Sequence, residues 1–342
     1  MNPLITTVIP TFKRPHLLKR AIASVLEQDY ENIEIYIYDN NSQDETRNIV
    51  EDFSKNDHRV KYFCHSENIG GLNNFLYGMS QVTGDYFSLL SDDDYLLPNF
   101  YKRAVSSLEK NKDAIFWAGM SLHIDANNQI WDARITRWPR EGLFTPPEGF
   151  FLMTGGMAPA WTSILFRKKS IDLIGSIDVK TLGPSDLDYC LRLAAQYPYV
   201  IEKYPAAVFF LNSESYSATQ PMSGFWPGWL RMIEKFSENE LLEVSFRNEI
   251  TKTLWDDAEK MLFRRGANAL AAARFDFVDD AARALSTNCN KKFKANILII
   301  LNESCKRFPL LQRIYSRLYR YAESKIVESR KGLQQQYEHL LK

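Results

Sequence analysis

Three consecutive carboxylates, Asp92, Asp93 and Asp94, follow an apolar run from Tyr86 to Leu90 and precede Pro98. The run reads as a buried strand, and Pro98 suits the first turn of a helix. Adjacent acids repel one another, so a fold that gathers them at a strand end needs a cation or a hydroxyl-rich ligand there. Hard divalent ions such as Mg²⁺ and Mn²⁺ take carboxylate oxygens and are commonly completed by the phosphates of a nucleotide. The plainer reading is a helix N-cap, where aspartate is favoured by its hydrogen bonds and by the helix dipole. One aspartate suffices for a cap; three do not follow from it.

Other chemistries lack their residues. No glycine stands in Thr11-Phe12-Lys13-Arg14-Pro15, so the dinucleotide fingerprint after a first strand is missing, and there is no Walker A sequence. The five histidines, His16, His58, His65, His123 and His339, are scattered without metal-ligand spacing; they read as surface or locally bonded imidazoles. What remains is a nucleotide site built on carboxylates and a metal in place of a glycine loop.

The elements that must position such a site follow a clear rhythm. Leu4–Ile9 is a β-branched, apolar strand stopped by Pro10, and from Pro15 the residues Leu17, Leu18, Ala21, Ile22, Val25 and Leu26 recur at helical spacing. Ile33–Tyr38 is a second strand ended by Asp39, followed by a polar helix from Glu45 to about Lys55. Val60–Cys64 is a third strand, and Asn68-Ile69-Gly70-Gly71 turns into a helix that leads to the apolar run. This β-α-β-α-β-α-β order is the signature of a doubly wound parallel sheet. Ligands of such sheets sit at the carboxyl ends of the strands, and here those ends carry Thr11, Asp39, the Asn68 turn and the acid triplet. Asn99–Lys110 reads as a helix, Ala114–Trp117 and Val208–Leu211 as strands.

The 342 residues leave room for about two domains, and 45% hydrophobic with 25% charged residues is an ordinary globular balance. Forty-two basic and forty-two acidic residues cancel, giving no overall attraction to nucleic acid. The balance is local, because twelve bases face four acids from Thr287 onward. Cys64, Cys190, Cys289 and Cys305 form no CxxC pair, which fits reduced thiols better than disulfides or zinc. With no signal-peptide pattern and no apolar stretch of membrane-spanning length, the expectation is a soluble, cytoplasmic protein.

Pro10–Pro15, Ala21–Tyr30, Ile33–Thr46, Asn68–Phe75 and Gly84–Pro98, in this order, resemble the family 2 glycosyltransferases, over about residues 4–217. The resemblance implies an inverting enzyme of the GT-A (nucleotide-diphospho-sugar transferase) fold: α/β, with a doubly wound, mostly parallel sheet. A catalytic domain of residues 1–222 is expected, its donor half about 1–100 and its acceptor half about 101–222, followed by a helical extension over 223–342. It further implies that Pro10, Thr11, Phe12 and Arg14 contact the nucleotide, that Asp39 meets the uracil edge, and that Asn68 and Asn74 stand beside the nucleotide. Turn-forming and capping are the structural alternatives for Asp39 and both asparagines. Asp92 is expected on the ribose, and Asp93 and Asp94 at the metal, Mg²⁺ or Mn²⁺. The family pattern D-x-D-D-x-x-x-P, counted back from Pro98, meets Ser91 in place of its first acid; it favours Asp93 as direct ligand with Asp94 in support, whereas a literal D-x-D reading takes Asp92 and Asp94.

In Gly183–Leu193 the family pattern E-D-x-D-x-x-x-R aligns Asp186 with the catalytic base, with Ser185 in place of the usual glutamate. An N-cap is the structural alternative for Asp186, and Asp188 is placed for an i,i+4 ion pair with Arg192. Trp131, Trp138 and Trp161 are placed to stack on acceptor sugars or to fill the core. Asn212–Ser217 lies where relatives carry diphosphate-binding Arg or His residues, but holds no histidine. The resulting expectation is metal-dependent transfer from a nucleotide sugar, UDP-linked, to a hydroxyl of a glycan or lipid-linked glycan, in surface polysaccharide biosynthesis. A sugar nucleotidyltransferase and a non-catalytic glycan-binding or assembly partner are the alternatives. Basic residues around Ile314, Tyr315, Leu318 and Tyr319 suit peripheral contact with an anionic membrane, or else a solvated face or a homodimer contact.

Overall fold

The computed structural model describes residues 2–211 and 220–341. Its described residues divide into two compact units, one of 2–180, 185–211 and 336–341, the other of 181–184 and 220–335. The sequence reading placed this division after residue 222.

The first unit opens with β1 (Ile5–Thr11), α1 (Pro15–Leu26), β2 (Ile33–Asp39), α2 (Thr46–Asn56), β3 (Val60–Cys64), α3 (Gly71–Ser80) and β4 (Tyr86–Leu89). β1 is buried at every position, because it lies between β2 and β4 and runs parallel to both. That is why its sequence is a continuous apolar and β-branched run instead of an alternating one. The unit continues through β5 (Tyr95–Leu96), α4 (Phe100–Lys110), β6 (Phe116–Ile124), β7 (Ile130–Asp132), β8 (Gly142–Phe144), α5 (Glu148–Met153), β9 (Ile164–Arg167), α6 (Lys169–Ile174), α7 (Ser185–Ala194) and β10 (Tyr199–Phe210).

The strands join in one sheet of order β3-β2-β1-β4-β9-β6-β10-β5, with β7 on β6 and β8 on β10. β9 is antiparallel to both β4 and β6, while β6 and β10 are parallel. Consequently β1, β2, β4, β6 and β10 all end at one edge of the sheet, and the residues that enter β9 lie at that same edge. The expected α/β sheet is present, but it is mixed where a mostly parallel one was expected: β3, β2, β1 and β4 run parallel, whereas β5, β7, β8 and β9 are antiparallel to their neighbours.

The structure excludes the helix-cap alternative for the acid triplet and corrects the expected position of Pro98. The acid triplet does not cap a helix: it feeds β5, which pairs antiparallel with β10. Pro98 lies just before α4, whose N-cap is Asn99 in the left-handed conformation, φ 63°.

Helix α3 rests on β1 through a glycine. A Cβ at Gly78 would stand 2.3 Å from Val8 Cγ1 and 3.0 Å from the Tyr38 ring, and both neighbours are buried.

The second unit is helical: α8 (Met222–Ser237), α9 (Val244–Ala271), α10 (Phe275–Thr287), α11 (Lys292–Arg307) and α12 (Pro309–Glu328). Its core gathers Leu254, Leu262, Leu270, Val278, Leu285 and Leu298. Glu259 of α9 pairs with Lys291 at 2.8 Å and Lys294 at 2.6 Å, tying the start of α11 to α9. No helix among the described residues is long and apolar enough to cross a membrane.

Replacing Gly78 by alanine is expected to destabilise the protein by about 1–3 kcal/mol, since a stiff valine and a packed ring must yield. Urea unfolding with an unchanged m-value is the measurement. A gain of stability, which helix propensity alone would give, would refute the packing argument.

Candidate active site

The loop after β1 and the acids after β4 are tied together. Thr11 Oγ1 donates to Asp92 Oδ2 at 2.8 Å, and the Phe12 N–H reaches the same oxygen at 3.4 Å. The Arg14 guanidinium spans two carboxylates, 3.2 Å from Asp92 Oδ1 and 2.9 Å from Asp93 Oδ2. Arg20 of α1 donates to the Asp93 carbonyl at 2.7 Å while its guanidinium lies over the Tyr95 and Phe210 rings. Neither Arg20 nor this stacking could be placed from sequence, because both partners come from distant strands.

Burial sets the electrostatics. Asp92 is pushed up to about 6, first by desolvation and then by the neighbouring Asp93, with Arg14 and Thr11 working in the opposite direction. Desolvation also raises Asp93, opposed chiefly by Arg14. Asp94 is raised well above the usual carboxylate range by its complete burial and by Asp93, and its Oδ1 accepts the Phe210 N–H at 2.9 Å. For Arg14, burial works against the charge, but the two carboxylates outweigh it and raise its pKa.

Asp39 closes β2. Its Oδ1 accepts the Ser42 N–H and hydroxyl at 2.9 and 2.6 Å, and its Oδ2 accepts the Tyr62 hydroxyl at 2.6 Å. The turn-forming role is therefore present, with Tyr62 an unforeseen partner. A carboxylate offers about four lone-pair directions, so Asp39 retains capacity for one more donor. Ser42 Oγ also accepts the Lys13 N–H at 2.9 Å, linking this turn to the β1 loop. Pro10 is buried in β1 beside Tyr38, whereas Phe12 is exposed.

Both asparagines serve structure. Asn68 Oδ1 accepts from Asn40 Nδ2 at 2.8 Å and from the Gly70 N–H at 2.9 Å. Asn40 Oδ1 in turn accepts the Ile69 N–H, so Asn40, which sequence reading passed over, holds the two loops together. Asn74 is buried, donating to the Tyr38 carbonyl at 2.7 Å and sharing a hydrogen bond with His65 Nε2.

Asp186 lies in the first turn of α7, open to solvent yet crowded by protein, and this desolvation raises its pKa; Arg134 opposes the shift. Its Oδ1 accepts the Leu187 N–H at 2.7 Å. Trp161 brings it to the acidic edge. That residue precedes β9, its indole N–H donates to the Asp186 carbonyl at 3.0 Å, and its ring meets Phe75 of α3 and Tyr189 of α7 edge-on. Asp188 and Arg192 form the expected i,i+4 pair at 3.0 Å. Trp138 is core, buried against Phe144 and Tyr199 with its N–H on the Met157 carbonyl, and Trp131 bonds Asp125. The Asn212–Ser217 segment lies outside the described residues.

Among the described residues, no group of three or more His, Cys, Asp or Glu side chains is arranged to hold a metal ion. The donor set nevertheless fits an ion completed by phosphate and water, which needs only one or two carboxylates: Asp92 and Asp93 already gather one cationic group, Arg14.

The family model described as Glycosyl transferase family 2 matches residues 6–174, so the match ends before Asp186. An uncharacterised glycosyltransferase of Rickettsia typhi is 35% identical over 246 residues, covering 68% of this chain and 74% of its own. A GalNAc(5)-diNAcBac-PP-undecaprenol beta-1,3-glucosyltransferase of Campylobacter jejuni is 40% identical over 96 residues, 28% of this chain and 31% of that enzyme. The chain thus spans less than a third of that enzyme's length. Among solved structures, S. aureus TarS residues 1–349 in complex with UDP-GlcNAc aligns with a TM-score of 0.65 at 13% identity, covering 93% of this chain and 92% of the other, a likeness of fold. Sequence and architecture agree: this chain has the GT-A fold and belongs to glycosyltransferase family 2.

Proposed function

We propose that the protein transfers a sugar, with inversion, from a UDP-linked donor to a hydroxyl of a glycan or lipid-linked glycan, with Asp186 as general base and Asp93 as the protein ligand of Mg²⁺ or Mn²⁺. The observation that carries this reading is the gathering of Asp39, Asp92 and Asp93 at one sheet edge, with the solvent-open Asp186 joined to that edge through Trp161. Asp39, oriented by Ser42 and Tyr62, accepts the N–H of the base, and Asp92 accepts a ribose hydroxyl, while Thr11, Phe12 and Arg14 line the donor loop. Asp94, buried on the Phe210 N–H, supports the turn that aims Asp93. Asn68 and Asn74 hold the loops around the nucleotide. The UDP-GlcNAc complex of TarS and the undecaprenol-linked acceptor in the name of the Campylobacter enzyme agree with this donor and acceptor chemistry.

In the reaction, Asp186 takes the proton of the acceptor hydroxyl as its oxygen attacks the anomeric carbon. The bond from that carbon to the diphosphate breaks on the opposite face, so the configuration inverts. The cation, when bound, supplies charge neutralisation for the departing diphosphate. A carboxyl group with a raised pKa is a stronger base once ionised, which suits Asp186 to this task.

Asp186→Asn is expected to lower kcat about 10²–10⁴-fold while the affinity for UDP measured by calorimetry stays unchanged. An unaltered rate would remove Asp186 from the base role.

Chelation of divalent ions is expected to abolish transfer and to erase the thermal stabilisation that UDP gives, with Mn²⁺ restoring both. Asp93→Asn is expected to need at least tenfold more Mn²⁺ for the same thermal shift; full stabilisation by UDP in chelator would refute the metal assignment.

A protonated Asp92 is a poorer acceptor for a ribose hydroxyl, so UDP affinity is expected to fall as pH drops and this carboxylate takes a proton. The effect on stability has the opposite sign. A raised folded-state pKa means the native state binds the extra proton, so the stability from Asp92 is complete below the ordinary carboxylate range and is lost as pH rises through about 6. Asp92→Asn should flatten both profiles between pH about 4 and 7, and an unchanged profile would reject the assignment.

A further inference from the structure

Helix α12 turns an apolar stripe outward. Leu310, Ile314, Leu318 and Tyr321 recur at i, i+4, i+8 and i+11, one face of a helix, and are 68%, 44%, 63% and 63% exposed. The opposite face is the seated one: Ser316 Oγ donates to the Ala271 carbonyl at 2.6 Å and Gln312 Nε2 reaches the same carbonyl. Leucine and isoleucine left in water along three turns of one helix form a patch that calls for a partner.

Beside the stripe lies a groove of about 590 Å³ between α12 and the end of α9, lined among others by Arg313, Arg317, Arg320 and Asn268. These three arginines form no ion pair among the described residues. Glu323 is the single acid between Pro309 and Val327, and it lies in the groove and not on the stripe. Aliphatic side chains flanked by uncompensated guanidinium groups match the boundary of an anionic bilayer, where acyl chains and phosphates lie within one helix diameter of each other. A second copy is a poorer fit, because a two-fold contact through this face would set arginines against arginines. The helix is too polar to cross a bilayer and so would lie along its surface.

We propose that the outward face of α12 docks on an anionic phospholipid surface, with Leu310, Ile314, Leu318 and Tyr321 entering the acyl boundary and Arg313, Arg317 and Arg320 holding lipid phosphates. This inference does not rest on the donor, acceptor or base assigned above.

The test is flotation of the full chain with vesicles of phosphatidylcholine alone or mixed with phosphatidylglycerol. The expected result is co-flotation only with the mixed vesicles, weakened by added salt. The triple variant Arg313→Gln/Arg317→Gln/Arg320→Gln should partition at least about tenfold less, and so should Ile314→Asn/Leu318→Asn, while Arg→Lys at the same three positions restores binding. Both variants change exposed side chains, and an unchanged thermal midpoint verifies that they fold. The proposal is overturned if the wild-type chain stays unbound or binds phosphatidylcholine equally well. It is also overturned if the variants float like wild type, or if Ile314→Asn/Leu318→Asn converts a vesicle-free dimer to a monomer in sedimentation velocity, which would assign the face to a second copy.

Discussion

The first unit depends on one electrostatic constraint: three adjacent carboxylates sit at the buried end of β4, where desolvation raises all three. An isolated charge in such a place is strongly unfavourable, and the chain disposes of the problem differently for each acid. Asp94 is withdrawn from solvent and accepts the Phe210 N–H, pinning the end of β10 to the triplet. Asp92 and Asp93 share Arg14, and Asp92 takes the Thr11 hydroxyl as well. The loop after β1 is therefore shaped by the acids after β4, so this loop and the acidic turn are held together as one unit.

That construction explains the contrast between the acids of this edge. Asp39 is surrounded by neutral donors, two from Ser42 and one from Tyr62, and the cost falls on the phenol, whose pKa is pushed up by burial and by the carboxylate it serves. Asp186 has the Leu187 N–H and the more distant charge of Arg134 to oppose desolvation. The first arrangement fixes a carboxylate as an acceptor; the second leaves one open to solvent with its pKa raised by desolvation. Under the function proposed above, the first environment serves binding and the second serves proton transfer.

The fold was legible wherever the signal was local. Continuous apolar runs gave β1, β2 and β4, and helical spacing gave α1, because burial on both sides of a parallel sheet is written in consecutive residues. The Asp188–Arg192 pair was legible because one helical turn connects them. Partners contributed by other strands were not. Arg20, Tyr62 and Asn40 meet their sites through contacts 23 to 73 residues apart, and no spacing rule reaches that far. Trp138 illustrates the ambiguity of a single aromatic: its ring fills the core while Trp161, of the same residue type, stands beside Asp186. The strand β5 was hidden because two residues make no periodicity, and its pairing with β10 is what separates the triplet from α4.

The helical unit repeats the lesson from the side of charge. The excess of bases from Thr287 onward is visible in the sequence, but a count does not say which of them are neutralised. Lys291 and Lys294 are bound to Glu259 and Lys306 to Asp279 and Glu303, so those bases serve the packing of α9, α10 and α11. The uncompensated charge concentrates on α12, next to apolar side chains that the same fold leaves in water. Ion pairing within the unit thus distils a diffuse basic segment into one face, and a face where unpaired guanidinium groups border exposed leucine is matched by a surface that offers phosphate and hydrocarbon together.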